Sequence, residues 1–378
     1  MKRGNGRLKP LFDAGIIGGG VIGLASAYFL AKAGIRVAVF ESGKTGSGAS
    51  SAAAGMLGAH TETEKDDAFF RFAKESQALY PGLAHDLLLE SGIDIQLQYN
   101  GMYKLAISAE EADALKKRAK TEKDVEWHSK EKVLRNEEGI SDSIYGALKI
   151  EKDGQVNPAA LCKAFTKAIQ LMNGKIFENT PVYKINRVEH SHYEIETPQD
   201  LFFCEALILA NGTWSSRYLK DFARNTSVYP AKGECLSVTL KEGKLSSTVF
   251  HESCYLVPKL DGRIVIGATM KEDTWNTEPS VQGIAALMNK AVKMMPAIEK
   301  ASFHHAWAGL RPKTADEKPF IFRHQGIPNL FVATGHFRNG ILLAPKTGEM
   351  ILDLFFNRQV TEEYVHAFRM DRALEVRL

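Results

Sequence analysis

The 378-residue sequence predicts an α/β protein in which a discontinuous, Rossmann-like nucleotide-binding domain carries an inserted antiparallel β-rich domain. Three observations predict this fold. The chain opens with a strand, a glycine turn, a helix and a second strand; two strand-rich stretches lie between later α/β segments; and the length suits two domains. With 44% hydrophobic and 25% charged residues the chain can bury a core, which excludes a disordered protein.

The opening segment has the pattern of a dinucleotide-binding β-α-β unit. A strand over 14–17 leads into Gly18-Gly-Gly20-Val-Ile-Gly23, a helix follows from Val21, and a strand over 36–40 comes next. Gly18 permits a tight turn, Gly20 lets backbone amides approach a pyrophosphate, and Gly23 lets the helix pack against the sheet. The N-terminus of that helix is then a binding site for the anion.

An acidic residue, Glu41, ends the second strand, 23 positions after Gly18. A carboxylate at this place accepts hydrogen bonds from both hydroxyls of an adenosine ribose, and it repels a 2′-phosphate, which disfavours NADP. Together these features predict a dinucleotide site, but they do not distinguish NAD from FAD.

Apolar periodicity predicts the remaining elements. Helical spacing favours helices over 66–89, 110–121, 157–172 and 281–295, with a final helix ending near Phe356. Alternating or continuous apolar runs favour strands over 102–107, 184–189, 193–197, 206–210, 234–240, 254–258, 263–269 and 329–334. We therefore assign residues 1–92, 148–226 and 312–378 to the nucleotide-binding domain, and residues 93–147 and 227–311 to the β-rich domain.

Charge and cysteine content narrow the class of partner. Lys and Arg number 48 and Asp and Glu 45, so the net charge of +3 is too small to attract nucleic acid or an anionic membrane by itself. The four cysteines form no C-x-x-C pair, which argues against a zinc motif and a secreted disulfide framework. Adjacent His304 and His305 point to opposite faces of a strand. We expect a small-molecule partner, no nucleic acid, membrane or metal, and a cytoplasmic location.

Two further stretches are ambiguous by themselves. Ser47-Gly-Ala-Ser-Ser-Ala-Ala-Ala-Gly-Met56 is a run of small or flexible residues, which serves either as a linker or as a segment that passes flat against a large planar ring. Ala210-Asn-Gly-Thr-Trp-Ser215 closes a buried strand and is similar to a turn that meets the adenine side of FAD, although alone it is an ordinary exit from a strand.

Two strings near the C-terminus complete a recognisable pattern: Trp307-Ala-Gly-Leu-Arg-Pro312 and Thr334-Gly-His-Phe-Arg-Asn-Gly-Ile-Leu-Leu-Ala-Pro345. With Ile16 to Gly23, Glu41-Ser-Gly43, Ser51 to Leu57 and Lys232-Gly-Glu234, they resemble the FAD-dependent glycine oxidases of bacterial thiazole biosynthesis. That family lies within the wider D-amino-acid oxidase and sarcosine oxidase superfamily. The resemblance spans about Ala14 to the C-terminus, and it implies a homotetramer.

The resemblance also implies non-covalently bound FAD and contacts for each part of it. The pyrophosphate turn matches Gly18, Gly20, Val21, Ile22 and Gly23, and the ribose site matches Glu41 and Ser42. The isoalloxazine stretch matches Ala49, Ser50, Ala54, Gly55 and Met56. An adenine contact matches Val182. The positions that match the segment under the flavin pyrimidine edge are His336, Phe337, Arg338, Asn339, Gly340, Ile341 and Leu342. Amides that open a helix there stabilise negative charge on reduced flavin.

For the substrate, the resemblance places Arg311 and Tyr255 on a carboxylate, Arg338 near the same site and Met270 on the pocket wall. A guanidinium binds a carboxylate through two parallel hydrogen bonds, and a tyrosine hydroxyl adds a third. Considered without the resemblance, Arg311 is also consistent with an ordinary ion pair, and Arg338 is also consistent with a solvated surface charge. Ser253 stands where some relatives carry His, a departure at the pocket mouth.

The implied reaction converts glycine, water and O2 to glyoxylate, ammonia and hydrogen peroxide. Hydride would pass from the substrate α carbon to flavin N5, with no side chain acting as acid or base, and the product would supply the thiazole branch of thiamine biosynthesis. Related small amines such as sarcosine, N-substituted glycines and D-alanine are further candidate substrates. The alternatives are a sarcosine or D-amino-acid oxidase, an FAD dehydrogenase feeding a membrane quinone, and a non-catalytic nucleotide-binding module.

Overall fold

The computed structural model describes residues 11–62, 66–188, 192–222 and 227–372, and within these ranges it confirms the predicted α/β fold. The helices are α1 (Val21–Lys32), α2 (Ala49–Ala52), α3 (Ala59–Glu62), α4 (Ala68–Ser91), α5 (Ala109–Thr121), α6 (Lys130–Asn136), α7 (Pro158–Leu171), α8 (Ser216–Phe222), α9 (Val281–Met294), α10 (Gly340–Phe355) and α11 (Glu362–Ala367). Within the described ranges, none of these helices has both the length and the apolar composition to cross a membrane.

The strands form two large sheets and one two-stranded pair. They are β1 (Leu11–Ile17), β2 (Val37–Phe40), β3 (Met56–Leu57), β4 (Met102–Ala106), β5 (Val125–Ser129), β6 (Gly146–Ile150), β7 (Gly154–Gln155), β8 (Lys175–Phe177), β9 (Lys184–Val188), β10 (His192–Glu196), β11 (Leu201–Leu209), β12 (Tyr229–Thr239), β13 (Thr248–His251), β14 (Cys254–Pro258), β15 (Arg263–Gly267), β16 (Lys271–Glu272), β17 (Ser302–Lys313), β18 (Phe320–Arg323) and β19 (Leu330–Thr334).

The first sheet has the strand order β18-β19-β11-β1-β2-β8, and β10 and β9 extend from β11. Strands β19, β11, β1, β2 and β8 run parallel to one another. The carboxyl ends of parallel strands meet at one edge, which is where α/β proteins bind ligands. The glycine turn after β1, Glu41 after β2, the turn after β11 and the loop after β19 therefore share that edge.

Helix α1 is the central support of this edge. Nearly all of its residues are buried, because the sheet lies on one side and α7 and α10 lie on the other. Contact with α10 is close: a Cβ added to Gly348 would lie 2.4 Å from the Phe29 ring. A helix enclosed in this way holds its N-terminus in a fixed place against the edge of the sheet.

Two helices continue through an internal proline, and a tyrosine hydroxyl replaces the missing bond in each. Pro345 in α10 has no N–H for the Ile341 carbonyl, and Tyr80 donates to that oxygen instead. Pro81 in α4 likewise leaves the Gln77 carbonyl without a backbone N–H donor, and the Tyr99 hydroxyl donates to that carbonyl at 3.1 Å. Burial raises the pKa of Tyr99 to about 12, so its hydroxyl remains a donor.

The second sheet has the order β16-β12-β15-β14-β13-β4-β6-β5, with β17 paired to β12. Its strands are antiparallel to their neighbours, apart from the parallel pair of β13 and β4. Helix α9 packs against β12, β14 and β15. This sheet brings residues that are far apart in the sequence into register, and one of its faces meets the edge of the first sheet.

Some predicted boundaries differ from the structure. The proposed domain limits at 147/148 and 311/312 fall inside β6 and β17. Because a strand belongs whole to its sheet, we propose that both limits lie just after these strands. The helix predicted as the last one is followed by α11; Asn357, with φ of 53°, ends the path of α10. Residues 1–10, 63–65, 189–191, 223–226 and 373–378 of the predicted ranges lie outside the described residues.

Candidate active site

A cavity of about 1600 Å³ lies between the edge of the first sheet and one face of the second. It exceeds the roughly 300–1,000 Å³ of most small-ligand pockets, so it can hold a dinucleotide together with a small substrate. Of the residues predicted to bind cofactor or substrate, all but Gly23 and Leu342 line it. The structure thus brings together side chains that the sequence separates by up to 320 positions, although which groups they bind stays a prediction.

The glycine turn is shaped by close backbone contacts. Gly18 has φ of +108°, and a Cβ there would lie 2.5 Å from the Ala210 carbonyl oxygen. Gly23 lies behind the turn, where an added Cβ would lie 2.0 Å from the Gly18 oxygen, so its task is packing. The Val21 amide at the start of α1 donates to the Ser50 hydroxyl at 2.9 Å. Only glycine permits this approach of helix, turn and neighbouring strand.

Glu41 lies across the mouth of the glycine turn. Its carboxylate accepts hydrogen bonds from the Gly19 amide at 2.7 Å, the Gly43 amide at 2.8 Å and the Ser42 hydroxyl at 3.0 Å. A carboxylate held by backbone amides is oriented before a ligand arrives, because those amides cannot move without moving the turn. The arrangement fits an acceptor for the ribose hydroxyls of an adenine dinucleotide.

The run of small residues is an ordered wall of the cavity rather than a linker. It forms the short helix α2 and then an extended path to β3. The Trp307 indole N–H donates to the Ala52 carbonyl at 3.1 Å, and a Cβ added to Gly309 would lie 2.4 Å from the Ala52 Cβ. The wall therefore lies directly against β17 of the second sheet, and small side chains are what allow it.

The loop after β19 presents the start of α10 to the cavity. Phe337 has φ of 49°, a backbone conformation that non-glycine residues rarely adopt and that is concentrated at functional sites. Among the described residues no side chain caps α10 at Asn339, and its first turn holds no acid, so its leading amides are available to an anion. Leu342 is buried beyond this turn.

His336, on the same loop, is fully enclosed. Burial lowers the pKa of its imidazole to about 3, so the ring is neutral at physiological pH. Its Nε2 atom lies 3.0 Å from the Thr347 hydroxyl of α10. The side chain thus joins the loop to the helix, and it adds no charge to the cavity.

The remaining walls fit a flavin dinucleotide. The side-chain nitrogen of Asn211, in the turn after β11, is buried and has no hydrogen-bond partner within the described part of the chain. A buried donor without a partner is unfavourable in the protein alone, and it indicates a ligand acceptor in the cavity. Together with the glycine cradle, Glu41 and the uncapped start of α10, it makes the edge of the first sheet suited to FAD.

On the second sheet, one row of residues crosses four strands. Trp307 on β17, Cys235 on β12, Gly267 on β15 and Tyr255 on β14 are paired in register. Gly267 has no side chain, and a Cβ there would lie 2.5 Å from the Tyr255 hydroxyl. The Tyr255 ring therefore extends across β15, and its hydroxyl lies 3.5 Å from the Cys235 sulfur.

Arg311 extends over a second glycine gap, beside the first. A Cβ added to Gly233 on β12 would lie 2.2–2.3 Å from three atoms of the Arg311 guanidinium. That group donates to the Thr269 carbonyl at 3.1 Å, and its Nη1 atom lies 3.8 Å from the Met270 sulfur. Arg311 and Tyr255 thus converge above β12, where a carboxylate would meet both.

The other predicted substrate residues lie at the mouth. Arg338 is exposed, and its guanidinium carbon lies 5.9 Å from the Phe337 ring centre. Met270 is 44% exposed. The same cavity is lined by two exposed tryptophans whose ring centres are 4.5 Å apart, Trp214 and Trp275. The structure therefore places Arg311 inside the cavity and Arg338 at its rim.

Several cavity residues escaped the sequence-based prediction. Gly233 and Gly267 carried a usable signal, because an isolated glycine within a strand pattern indicates a close approach of other groups. Cys235 carried no sequence signal for a role in the site, because its contact with Tyr255 depends on strand register. Trp275 lies in a loop and had no sequence signal at all.

Comparisons with known proteins agree with this geometry. A family profile described as "FAD dependent oxidoreductase" matches residues 13–354. The chain is 45% identical to the glycine oxidase of Bacillus subtilis (strain 168), over 98% of this chain and 100% of that protein. It is 31% identical to a bifunctional protein ThiO/ThiG of Synechocystis sp., over 96% of this chain and 54% of that protein. The crystal structure of glycine oxidase from Geobacillus kaustophilus superposes with a TM-score of 0.90 at 39% identity, covering 96% of this chain and 98% of that one.

Proposed function

Because the chain belongs to the FAD-dependent oxidoreductase family, among its glycine oxidases, and uses FAD, we propose that it oxidises glycine and related small amines with O2. The products are glyoxylate, ammonia and hydrogen peroxide. The observation that carries the proposal is the convergence of Arg311 and Tyr255 on one point of a cavity whose far end is a dinucleotide cradle. The small-residue wall lies beside that point, because Tyr255 packs in one apolar cluster with Ala54 and Met56.

The chain supplies the cofactor with a place for each of its parts. Glu41 holds the ribose, the glycine turn and the start of α1 hold the pyrophosphate, and the segment 49–56 faces the ring system. The chemistry that FAD would supply when bound is a two-electron oxidation of the substrate with O2 as the final acceptor, which would yield hydrogen peroxide. The leading amides of α10 would stabilise negative charge near the ring, and neutral His336 adds no charge to that effect, so the amides alone supply it from this loop.

Substrate orientation is the task of the second sheet. Glycine offers little apolar surface, so charge and hydrogen bonds must position it. The Arg311 guanidinium binds the carboxylate through two parallel hydrogen bonds, and the Tyr255 hydroxyl donates a third. Met270 and the tryptophan pair at the mouth limit the access of water and of bulky amines. No side-chain base is assigned, since orientation and charge are what the chain contributes.

The cellular setting is part of the proposal. All four cysteines are free and buried, which supports a reducing, cytoplasmic location. The resemblance to glycine oxidases of thiazole biosynthesis, and the match to a ThiO/ThiG protein, support a role in supplying the thiazole branch of thiamine biosynthesis. The homotetramer implied by the same resemblance is retained as a prediction.

A peroxide assay on the purified protein tests the proposal. We expect a yellow protein that releases FAD on denaturation and forms hydrogen peroxide from glycine without an added electron acceptor. Relative turnover of glycine, sarcosine, D-alanine and N-ethylglycine then ranks the substrates. If turnover requires an added quinone, the assignment changes from an oxidase to a dehydrogenase. A colourless protein that binds NAD with micromolar affinity would overturn the flavin assignment.

A further inference from the structure

A lysine outside the cavity connects the second sheet to the segments around the two-stranded pair of β3 and β7. Lys259 directly follows β14, the strand that carries Tyr255, and its side chain is partly buried. Its amine donates to the Ala54 carbonyl, to the Gln155 side-chain oxygen at 2.9 Å and to the Val156 carbonyl at 3.4 Å. All three acceptors lie on segments that lead to the first sheet rather than on the sheet of Lys259 itself.

The Ala54 carbonyl belongs to the cavity wall that the flavin ring would face. Gly55 beside it has φ of +87°, and a Cβ there would lie 2.1 Å from the Val156 oxygen. The Val156 amide donates to the Gly55 carbonyl at 2.8 Å. Lys259 therefore binds both members of a tightly packed pair of segments, at the point where the wall turns into β3.

The surroundings of the Lys259 amine are polar but uncharged. Its three hydrogen-bond acceptors are neutral oxygens, and an ammonium has three N–H groups to match them. The charged groups nearest to it are Asp261 and Arg263, which pair with each other at 2.6 Å. Burial lowers the pKa of the Lys259 amine to about 7, so it loses its proton within the physiological range and then has only two N–H groups for three acceptors.

We propose that Lys259 is a positioning residue that holds the Ala54–Met56 wall against the flavin ring and sets its distance from the strand that carries Tyr255. Ala54 and Val257 pack together in a small apolar cluster that Met56, Tyr255 and Trp307 surround, so a shift of the wall reaches the carboxylate site. The catalytic part of this inference rests on the proposed glycine oxidation. The effect on the flavin does not, because it concerns only the wall and the cofactor.

The test compares Lys259→Met, which removes the charge and the donors, with Lys259→Arg, which retains them. Lys293→Met is the control, because Lys293 is an exposed lysine on α9. FAD affinity is measured by flavin fluorescence, and the visible spectrum of bound FAD is recorded, between pH 5.5 and 9. Glycine kinetics follow at saturating FAD.

The parent should bind FAD about fivefold more weakly above pH 7 than below it, as one hydrogen bond is lost. Lys259→Met should bind FAD roughly tenfold more weakly than the parent at pH 6, with no pH inflection and a shifted spectrum, and lower kcat more than it raises KM. Lys259→Arg should bind FAD at every pH as firmly as the parent does at pH 6, with no inflection, because a guanidinium keeps its charge and donors. Lys293→Met should match the parent throughout.

Parent-like affinity, spectrum and pH profile in Lys259→Met would overturn the proposal. If Lys259→Met does not fold, Lys259→Arg decides, since an inflection near pH 7 in that always-charged variant would also contradict the assignment. A parent that binds FAD yet makes no peroxide from glycine would overturn the proposed function alone, because the flavin measurements test Lys259 separately.

Discussion

The first sheet contributes to the cavity mainly through backbone groups, whereas the second contributes through side chains. The glycine turn and the start of α10 each occupy a short stretch of sequence, and they present amides from helix N-termini. Arg311, Tyr255, Gly233 and Gly267 come from four strands, and they meet only through strand register. The cofactor end is therefore determined locally, and the substrate end depends on the whole sheet.

This difference has a consequence for substitutions. Changes at the cofactor end should weaken FAD binding and leave the choice among amines unaltered. Changes at the substrate end should lower turnover while FAD remains bound, and they should do so even where the altered residue touches no substrate. The following substitutions test that separation, beginning with the largest expected effect.

Arg311→Leu should lower kcat/KM for glycine by roughly thirtyfold to several-thousandfold with FAD still bound, because a carboxylate partner is lost in a partly enclosed site. Arg311→Lys should recover only part of that loss, since an ammonium lacks the planar fork. Steady-state kinetics at measured FAD occupancy check this, with Arg338→Leu as the neighbouring control. A mild effect of Arg311→Leu, within about threefold, beside a collapse in Arg338→Leu would mean that the anchor is Arg338.

Gly233→Ala should lower kcat/KM for glycine by about a hundredfold, because the new methyl group occupies the place of the Arg311 guanidinium and displaces it by an ångström or so. FAD content and thermal stability should change little. Gly82→Ala is the matched control, since nothing lies within 4 Å of its added Cβ in α4. Activity close to that of the parent in Gly233→Ala would show that Arg311 need not lie flat on β12.

Glu41→Ala should weaken FAD binding by about tenfold to a hundredfold, because two hydrogen bonds to a charged acceptor are lost. The ranking of glycine, sarcosine and D-alanine should stay as in the parent once FAD is saturating. Glu41→Gln keeps one acceptor oxygen, so its FAD affinity in a fluorescence titration should lie between those of the parent and of Glu41→Ala. A Glu41→Ala protein that holds FAD firmly but loses discrimination among amines would refute the ribose assignment.

Cys235→Ala should have the smallest effect, raising KM for glycine about threefold, because a thiol is a weak partner for the Tyr255 hydroxyl. Cys235→Ser should stay near the parent, since a hydroxyl can replace the thiol contact. KM is measured in both variants with FAD saturating. A loss as large as that of Arg311→Leu would assign Cys235 a direct part in binding the substrate.

The opening β-α-β unit illustrates what local patterns predict well. The predicted helix from Val21 and strand up to Phe40 differ from α1 and β2 by a residue or so at their ends, and the strand over 254–258 has the bounds of β14. Each of these elements has a clear apolar period, and glycines or polar residues end it. The turn that follows β1 is predicted by the same means, because its conformation depends on its own glycines.

Other elements were missed for a physical reason. In β17, the 12-residue strand that carries Arg311, only His304 and His305 are predicted as strand residues. The strand contains Gly309 and Pro312, and its first four residues are exposed, so no apolar period marks its extent. Its stability comes from pairing with β12, about 70 positions earlier in the chain. β5 and β6 were missed as well, and α2 forms inside a run that sequence alone left open between a linker and a wall.

The sequence by itself determined the α/β fold, the nucleotide-binding turn and its acidic partner, since these depend on contacts between residues close in the chain. By resemblance it also predicts that Arg311 and Tyr255 bind a carboxylate, and this stays a prediction. Only the tertiary structure decided that both side chains pass over glycines on neighbouring strands, that Arg338 lies at the rim, and that Lys259 joins the second sheet to the segments around β3 and β7. The reason is that strand register and sheet-to-sheet packing depend on contacts distant in sequence, which no local pattern of residues records.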